Sequence, residues 1–215
     1  MAAGAHRMST RDTLRRARLL LVTDPRPDLA ERVAAAVRGG VDVVQLRDKH
    51  ASREELLPLA EKLKDICARA GAIFTVNDDI ELARASGTAG VHLGQDDAPT
   101  AEARRVLGPD AIIGRSAGNL DEALEAVREE ADYLGVGAIY ATPTKPEGDV
   151  GGLALIRELA QENLPVPWFA IGGVTLETAQ EVAGAGAPGF AVVRAIIDAE
   201  DPEAAARKLR SYLPE

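Results

Sequence analysis

The feature that most narrows the fold is a recurrence. Short apolar runs alternate with longer stretches of helical periodicity, eight times along the 215 residues. The runs occupy 19–24, 41–48, 73–78, 90–95, 111–116, 133–139, 168–173 and 190–195. Helical patterns follow at about 28–38, from Ser52, through Ala85, after Pro99, and over 119–128, 153–161, 175–183 and 202–212. Ser52 with Glu55 three residues on forms a capping-box start. With aromatics at only 3%, the core must be layered from small branched side chains, which suits parallel strands buried on both faces. Eight strand-helix units in one chain predict a single (β/α)8 barrel, a fold whose lower size limit is about 200 residues. An open doubly wound sheet is the alternative. It would carry phosphate-binding glycines in its first turn, where this chain has Asp24-Pro25-Arg26-Pro27.

Residues 1–17 read as an N-terminal leader that need not be ordered throughout, with Met8 an alternative start, and 18–215 as the barrel domain. The arginines near the N-terminus precede an apolar run at 19–22 that is too short for a signal-peptide core, and no stretch approaches a membrane span. The 25 Lys plus Arg against 34 Asp plus Glu give a net charge of −9. Nothing electrostatic therefore invites nucleic acid or an anionic membrane. The single Cys67 lies in a helical pattern and reads as a small core residue. One thiol excludes an internal disulfide, and a reducing, cytoplasmic setting is expected.

Barrel chemistry sits where strands end and their following loops begin, and the polar residues obey that rule. Alternation puts Gln45, Arg47 and Lys49 on one side, toward the barrel mouth. Asn77-Asp78-Asp79 and Gln95-Asp96-Asp97 place two acidic pairs at the tips of neighbouring strands. Together they look like a seat for Mg²⁺, which takes one or two carboxylates and completes its shell with water and substrate phosphate. One acid of each pair should ligate, leaving Asp79 and Asp96 to cap helices or face solvent. His92 reads as a hydrogen-bonded core or near-mouth residue. Ser116 has no evident base beside it and reads as a hydroxyl donor, not a nucleophile. The loop over 141–152, with Thr142, Thr144 and Lys145 between prolines and three following glycines, reads as a lid. Gly172-Gly173 and Val193-Arg194 end the last two strands, where phosphate sites recur in such barrels.

The ordered set Gln45-x-Arg47-x-Lys49, Asn77-Asp78, Gly90-Val91-His92-Leu93-Gly94-Gln95-x-Asp97, Tyr133-Leu134-Gly135-Val136-Gly137, Thr142-x-Thr144-Lys145, Ile171-Gly172-Gly173-Val174 and Val193-x-Ala195-Ile196 resembles the thiamine phosphate synthases over residues 18–212. The resemblance implies a Mg²⁺-dependent transferase of thiamine biosynthesis. It would join hydroxymethylpyrimidine diphosphate to (carboxy)thiazole phosphate by a dissociative path, releasing pyrophosphate. Gln45 would hold the pyrimidine, and Arg47, Lys49, Asn77, Ser116 and Lys145 the diphosphate. Asp78 and Asp97 would bind Mg²⁺, and Thr142, Thr144, Gly173, Val193 and Arg194 would surround the thiazole phosphate. Of these, Arg47, Lys49, Lys145 and Ser116 carry the catalytic roles. The partners implied are small molecules, with a homo-oligomer compatible. Arg194 stands where the family commonly has serine, and Gly118 where it often has histidine. A thiazole tautomerase of the same fold is the nearest rival, and a non-catalytic phosphometabolite sensor is a rival of another class. Retention of Asp78, Asp97 and Lys145, useful only with a metal and a diphosphate, favours the synthase.

Overall fold

The computed structural model describes residues 9–141 and 150–214. Eight parallel strands, β1 (Leu19–Val22), β2 (Val43–Leu46), β3 (Ile73–Asn77), β4 (Gly90–Leu93), β5 (Ile112–Ala117), β6 (Tyr133–Val136), β7 (Trp168–Ile171) and β8 (Phe190–Val192), pair in sequence order and close into a barrel. The helices are α1 (Thr10–Arg16), α2 (Leu29–Arg38), α3 (Arg53–Ala70), α4 (Ile80–Ser86), α5 (Thr100–Leu107), α6 (Leu120–Arg128), α7 (Gly152–Gln161), α8 (Ala179–Gly184), α9 (Arg194–Ile197) and α10 (Pro202–Arg210). The strand-helix recurrence in the sequence is thus a (β/α)8 barrel.

Strand alternation builds two apolar layers. Leu19, Leu21, Val44, Leu46, Val91, Ile113 and Leu134 point outward and pack under the helices. Leu20, Val22, Val43, Ile73, Ile112, Tyr133, Phe169 and Ala191 fill the interior. Leu14 and Ala17 join that interior cluster, so α1 closes the end of the barrel opposite the mouth. A capping box between Ser9 and Asp12 starts this helix within the segment read as a leader. Arg11 then ties it down, donating to Asp132 at 2.9 Å and to the Pro109 carbonyl at 2.7 Å.

The predicted Ser52–Glu55 box is formed at α3: the Ser52 N–H donates to Glu55 at 2.8 Å, and the Glu55 N–H to the Ser52 hydroxyl at 3.3 Å. Several boundaries differ from the sequence reading, and two of them have an evident local cause. The last strand stops at Val192 and the chain turns into α9 at Arg194, because the backbone at Val193 (φ −114°, ψ −89°) leaves the extended region. The helix anticipated from Thr175 starts four residues later, because the Thr175 N–H donates to the Thr178 hydroxyl at 2.9 Å and holds a turn. Among the described residues, no helix is long and apolar enough to cross a membrane.

Candidate active site

Because every strand runs the same way, all eight C-terminal ends share one rim. Gln45, Asn77 and Ser116 come from these strand ends, Arg47, Lys49, Asp78, Asp97, Gly173 and Val193 from the segments just beyond them, and Arg194 from the start of α9. Thr142, Thr144 and Lys145 lie outside the described residues, as does most of the loop read as a lid.

Gln45 is 3% exposed and faces the interior, in register with Thr75 of β3. It forms part of the floor. Strand geometry ends at Leu46, so Arg47 and Lys49 are placed by the loop and not by continued alternation. The buried Thr23 fixes that loop, its hydroxyl accepting from the Arg47 N–H at 2.9 Å. The Asp48 carboxylate turns the chain next, accepting from the His50 and Ala51 N–H groups at 2.8 and 3.1 Å. Arg47 is left partly buried and Lys49 exposed at the rim.

Asp78 has a left-handed backbone, φ 63°. Asp is one of the few non-glycine residues that tolerate this, and such conformations cluster at functional sites. Its side chain keeps contact with solvent, yet partial burial of the carboxyl pushes its pKa up to about 6. A hydrogen bond to Asp97 and the charge of Asp97 add to that rise, against opposing pulls from Lys49 and Arg47. Four of the residues read from sequence are therefore electrostatic neighbours. Asp97 is oriented by its own loop, its Oδ2 accepting from the Gly94 N–H at 2.6 Å. Asp79 caps α4 by accepting from the Leu82 N–H at 2.8 Å, and pairs with Arg53 at 2.8 Å. Asp96 is exposed. Capping and solvent exposure are the roles expected of them, although both lie past the ends of β3 and β4, where strand alternation no longer applies.

Two carboxylates in contact repel when both are ionised, and a hard dication between them relieves that repulsion. Among the described residues, no group of three or more His, Cys, Asp or Glu gathers to hold a metal. Mg²⁺ is an ion that takes only one or two carboxylates from a protein and fills the rest of its shell with water and phosphate.

Ser116 has a neighbour the sequence reading did not give it. Nε2 of His92 lies 3.1 Å from its hydroxyl. Both side chains point inward from adjacent strands, β4 and β5, paired His92 to Gly114. The Gly114 position is what admits the imidazole: a Cβ there would stand 2.5 Å from His92 Nδ1 and would also strike the Tyr133 ring. Sequence gave the signal only indirectly, through a glycine two residues before Ser116. The buried Cys67 belongs to α3, and burial pushes its thiol up to about 12, so it supplies no thiolate.

Across the mouth, Gly173 has φ 71°, and a Cβ on it would stand 2.6 Å from that of Tyr140. Only glycine lets β7 end this close to the chain following β6. Val193 is partly buried and Arg194 exposed at the start of α9.

The thiamine monophosphate synthase family model matches residues 19–196. A thiamine-phosphate synthase of Mycobacterium sp. is 46% identical over 213 residues, covering 93% of this chain and 94% of that protein. Thiamine-phosphate synthases of Nostoc sp. and Synechocystis sp. are each 46% identical over 200 residues, or 93% of this chain. The chain spans only 57% and 58% of the length of those two cyanobacterial relatives. Among solved structures, a thiamine phosphate pyrophosphorylase from Pyrococcus furiosus superposes with a TM-score of 0.83 at 35% identity, covering 94% of this chain and 96% of that one. By this match across most of its length, the chain belongs to the thiamine monophosphate synthase family.

Proposed function

We propose that this protein is a thiamine phosphate synthase, transferring the hydroxymethylpyrimidine group from its diphosphate to the nitrogen of a (carboxy)thiazole phosphate. The observation that carries the reading is the meeting of Asp78 and Asp97 within the fields of Lys49 and Arg47. That constellation suits a diphosphate held with a dication. The names and extent of the family relatives support the same reaction.

The reaction parts a diphosphate from a benzylic-type carbon. The C–O bond breaks and its electron pair leaves with the pyrophosphate, and the thiazole nitrogen then gives its lone pair to the pyrimidinylmethyl cation. With the carboxylated thiazole, CO₂ is also lost. No strong base is needed, but the departing negative charge must be stabilised by groups already in position. At about 4 Å and an effective dielectric near 20, each unit-charge contact supplies roughly 4 kcal/mol before desolvation costs. Arg47 and Lys49 provide such contacts, and Lys145 a third. Mg²⁺, held by Asp78 and Asp97, would supply further charge neutralisation on the phosphate oxygens. Asn77 and the Ser116 hydroxyl donate to the same group, and Gln45 on the floor orients the pyrimidine. Gly173, Val193 and Arg194 receive the phosphate of the thiazole on the opposite side of the mouth. Thr142 and Thr144 would complete that subsite, and closure of their loop would keep water from the cation.

Incubating the protein with both substrates, in excess Mg²⁺ or in EDTA, tests the assignment. Thiamine phosphate and pyrophosphate in equal amounts, formed only with Mg²⁺, are the expected products. Binding of both compounds without turnover would make it a sensor, and isomerisation of the thiazole phosphate alone would make it a tautomerase.

A further inference from the structure

We infer that Arg115, a residue outside the mouth, positions Asp97 for the metal. The inference rests on the reading of Asp78 and Asp97 as the Mg²⁺ seat. On β5, Ile112, Gly114 and Ser116 face the interior, so Arg115 faces outward with Ile113 and Ala117, into the layer beneath the helices. It is 6% exposed there. Burying a guanidinium among apolar side chains is costly unless its donors are paired, and this one is only partly paired. Its Nη1 donates to the Ala98 carbonyl at 3.1 Å, while Nε is buried without a hydrogen-bond partner.

What the arginine holds is the segment that carries Asp97. Ala98 follows Asp97 directly. On the other side of the acid, Gln95 reaches the same strand, its Nε2 donating to the Ser116 carbonyl. The segment is therefore pinned to β5 at both ends, with Asp97 between the pins and its Oδ2 held by the Gly94 N–H. Removing the Ala98 pin frees the downstream half of the segment and lets the Asp97 carboxylate drift from Asp78. This effect does not require Arg115 to touch substrate, so it is a positioning residue.

The test uses the full chain and Mn²⁺ alone as an EPR-visible stand-in for Mg²⁺, without substrates. Arg115→Met, which keeps the apolar stem, should weaken Mn²⁺ binding by about tenfold or more. In the assay it should raise the Mg²⁺ concentration needed for half-maximal activity while leaving the KM for thiazole phosphate unchanged. Arg115→Lys, whose ammonium reaches toward the same carbonyl, should recover part of the affinity. In an Asp97→Asn background the Arg115→Met change should have no further effect on Mn²⁺. Wild-type Mn²⁺ affinity in folded Arg115→Met overturns the inference, as does an equal loss in the presence and absence of Asp97. Should the methionine variant not fold, Arg115→Gln, which retains a donor without the charge, decides by the same titration. If Asp97→Asn alone leaves Mn²⁺ binding intact, the metal seat itself is wrong and the inference falls with it.

Discussion

Nε2 of His92 and the hydroxyl of Ser116 lie 3.1 Å apart across β4 and β5. A hydroxyl that donates its only proton to a diphosphate oxygen can still accept from an imidazole N–H, which fixes its direction. Ser116→Ala should lower the single-turnover rate by about 10²-fold, the scale for losing one donor aimed at developing charge. His92→Phe keeps a ring beside Tyr133, 5.4 Å away between centroids, but loses the hydrogen bond. Its cost should be on the order of tenfold. A His92→Phe enzyme as fast as wild type would show that the serine orients itself.

Lys49 stands exposed at the rim, and its charge is felt by Asp78. If it stabilises the leaving group, Lys49→Ala should slow the chemical step by about 10² to 10³. Rapid-quench measurement of a single turnover isolates that step from product release. A rate within a few-fold of wild type would remove Lys49 from the catalytic set.

The pH dependence follows from the raised pKa of Asp78, about 6 against an ordinary 3.8. Across that window the folded chain keeps a proton that the unfolded chain has released. The stability of the metal-free protein should therefore fall as pH rises from about 4 to 6, and then level off. Metal binding must displace the same proton, so Mg²⁺ affinity should rise over this window and flatten above about pH 6. Calorimetric titration at several pH values reads this directly. Asp78→Asn should weaken binding and abolish the slope; a slope that survives the substitution belongs to another group.

Far from the mouth, Asp132 accepts from Arg11 at 2.9 Å, Arg104 at 3.0 Å and the Ile113 N–H at 2.8 Å, with its side chain 11% exposed. Removing this carboxylate takes one partner from each arginine and the acceptor from the Ile113 N–H, while Arg11 keeps the Pro109 carbonyl and Arg104 the Glu130 carbonyl. Asp132→Ala should destabilise by about 1–3 kcal/mol, the scale for leaving a buried donor unsatisfied, with little effect on KM for either substrate in the protein that remains folded. Urea unfolding checks the value, and a loss under 1 kcal/mol would mean that Leu14, Ala17 and the Arg11 bond to the Pro109 carbonyl hold α1 without Asp132.

Strand number and order were legible because eight apolar runs of similar length leave few arrangements other than a closed barrel. Acids and cations at the strand ends were legible for the same reason, since topology sends those ends to one rim. Local detail was less accessible. The run containing Arg194 and Ala195 continues an apolar pattern past the true end of β8, and only the backbone at Val193 reveals the turn. The Ser9–Asp12 box is short and sits among arginines, so the helix that plugs the barrel resembled a leader. His92 and Ser116 are neighbours through strand register, a relationship that no spacing within one strand encodes. Arg115 drew no reading from the sequence, because its outward, buried position follows only from the fold.

A crystal structure of the protein with Mg²⁺ and inorganic pyrophosphate tests most directly whether the mouth is built for a departing diphosphate. The account predicts the pyrophosphate between Arg47, Lys49, Asn77 and Ser116, with the metal bridging it to Asp78 and Asp97. Pyrophosphate bound away from this rim, or a metal touching neither aspartate, would contradict it.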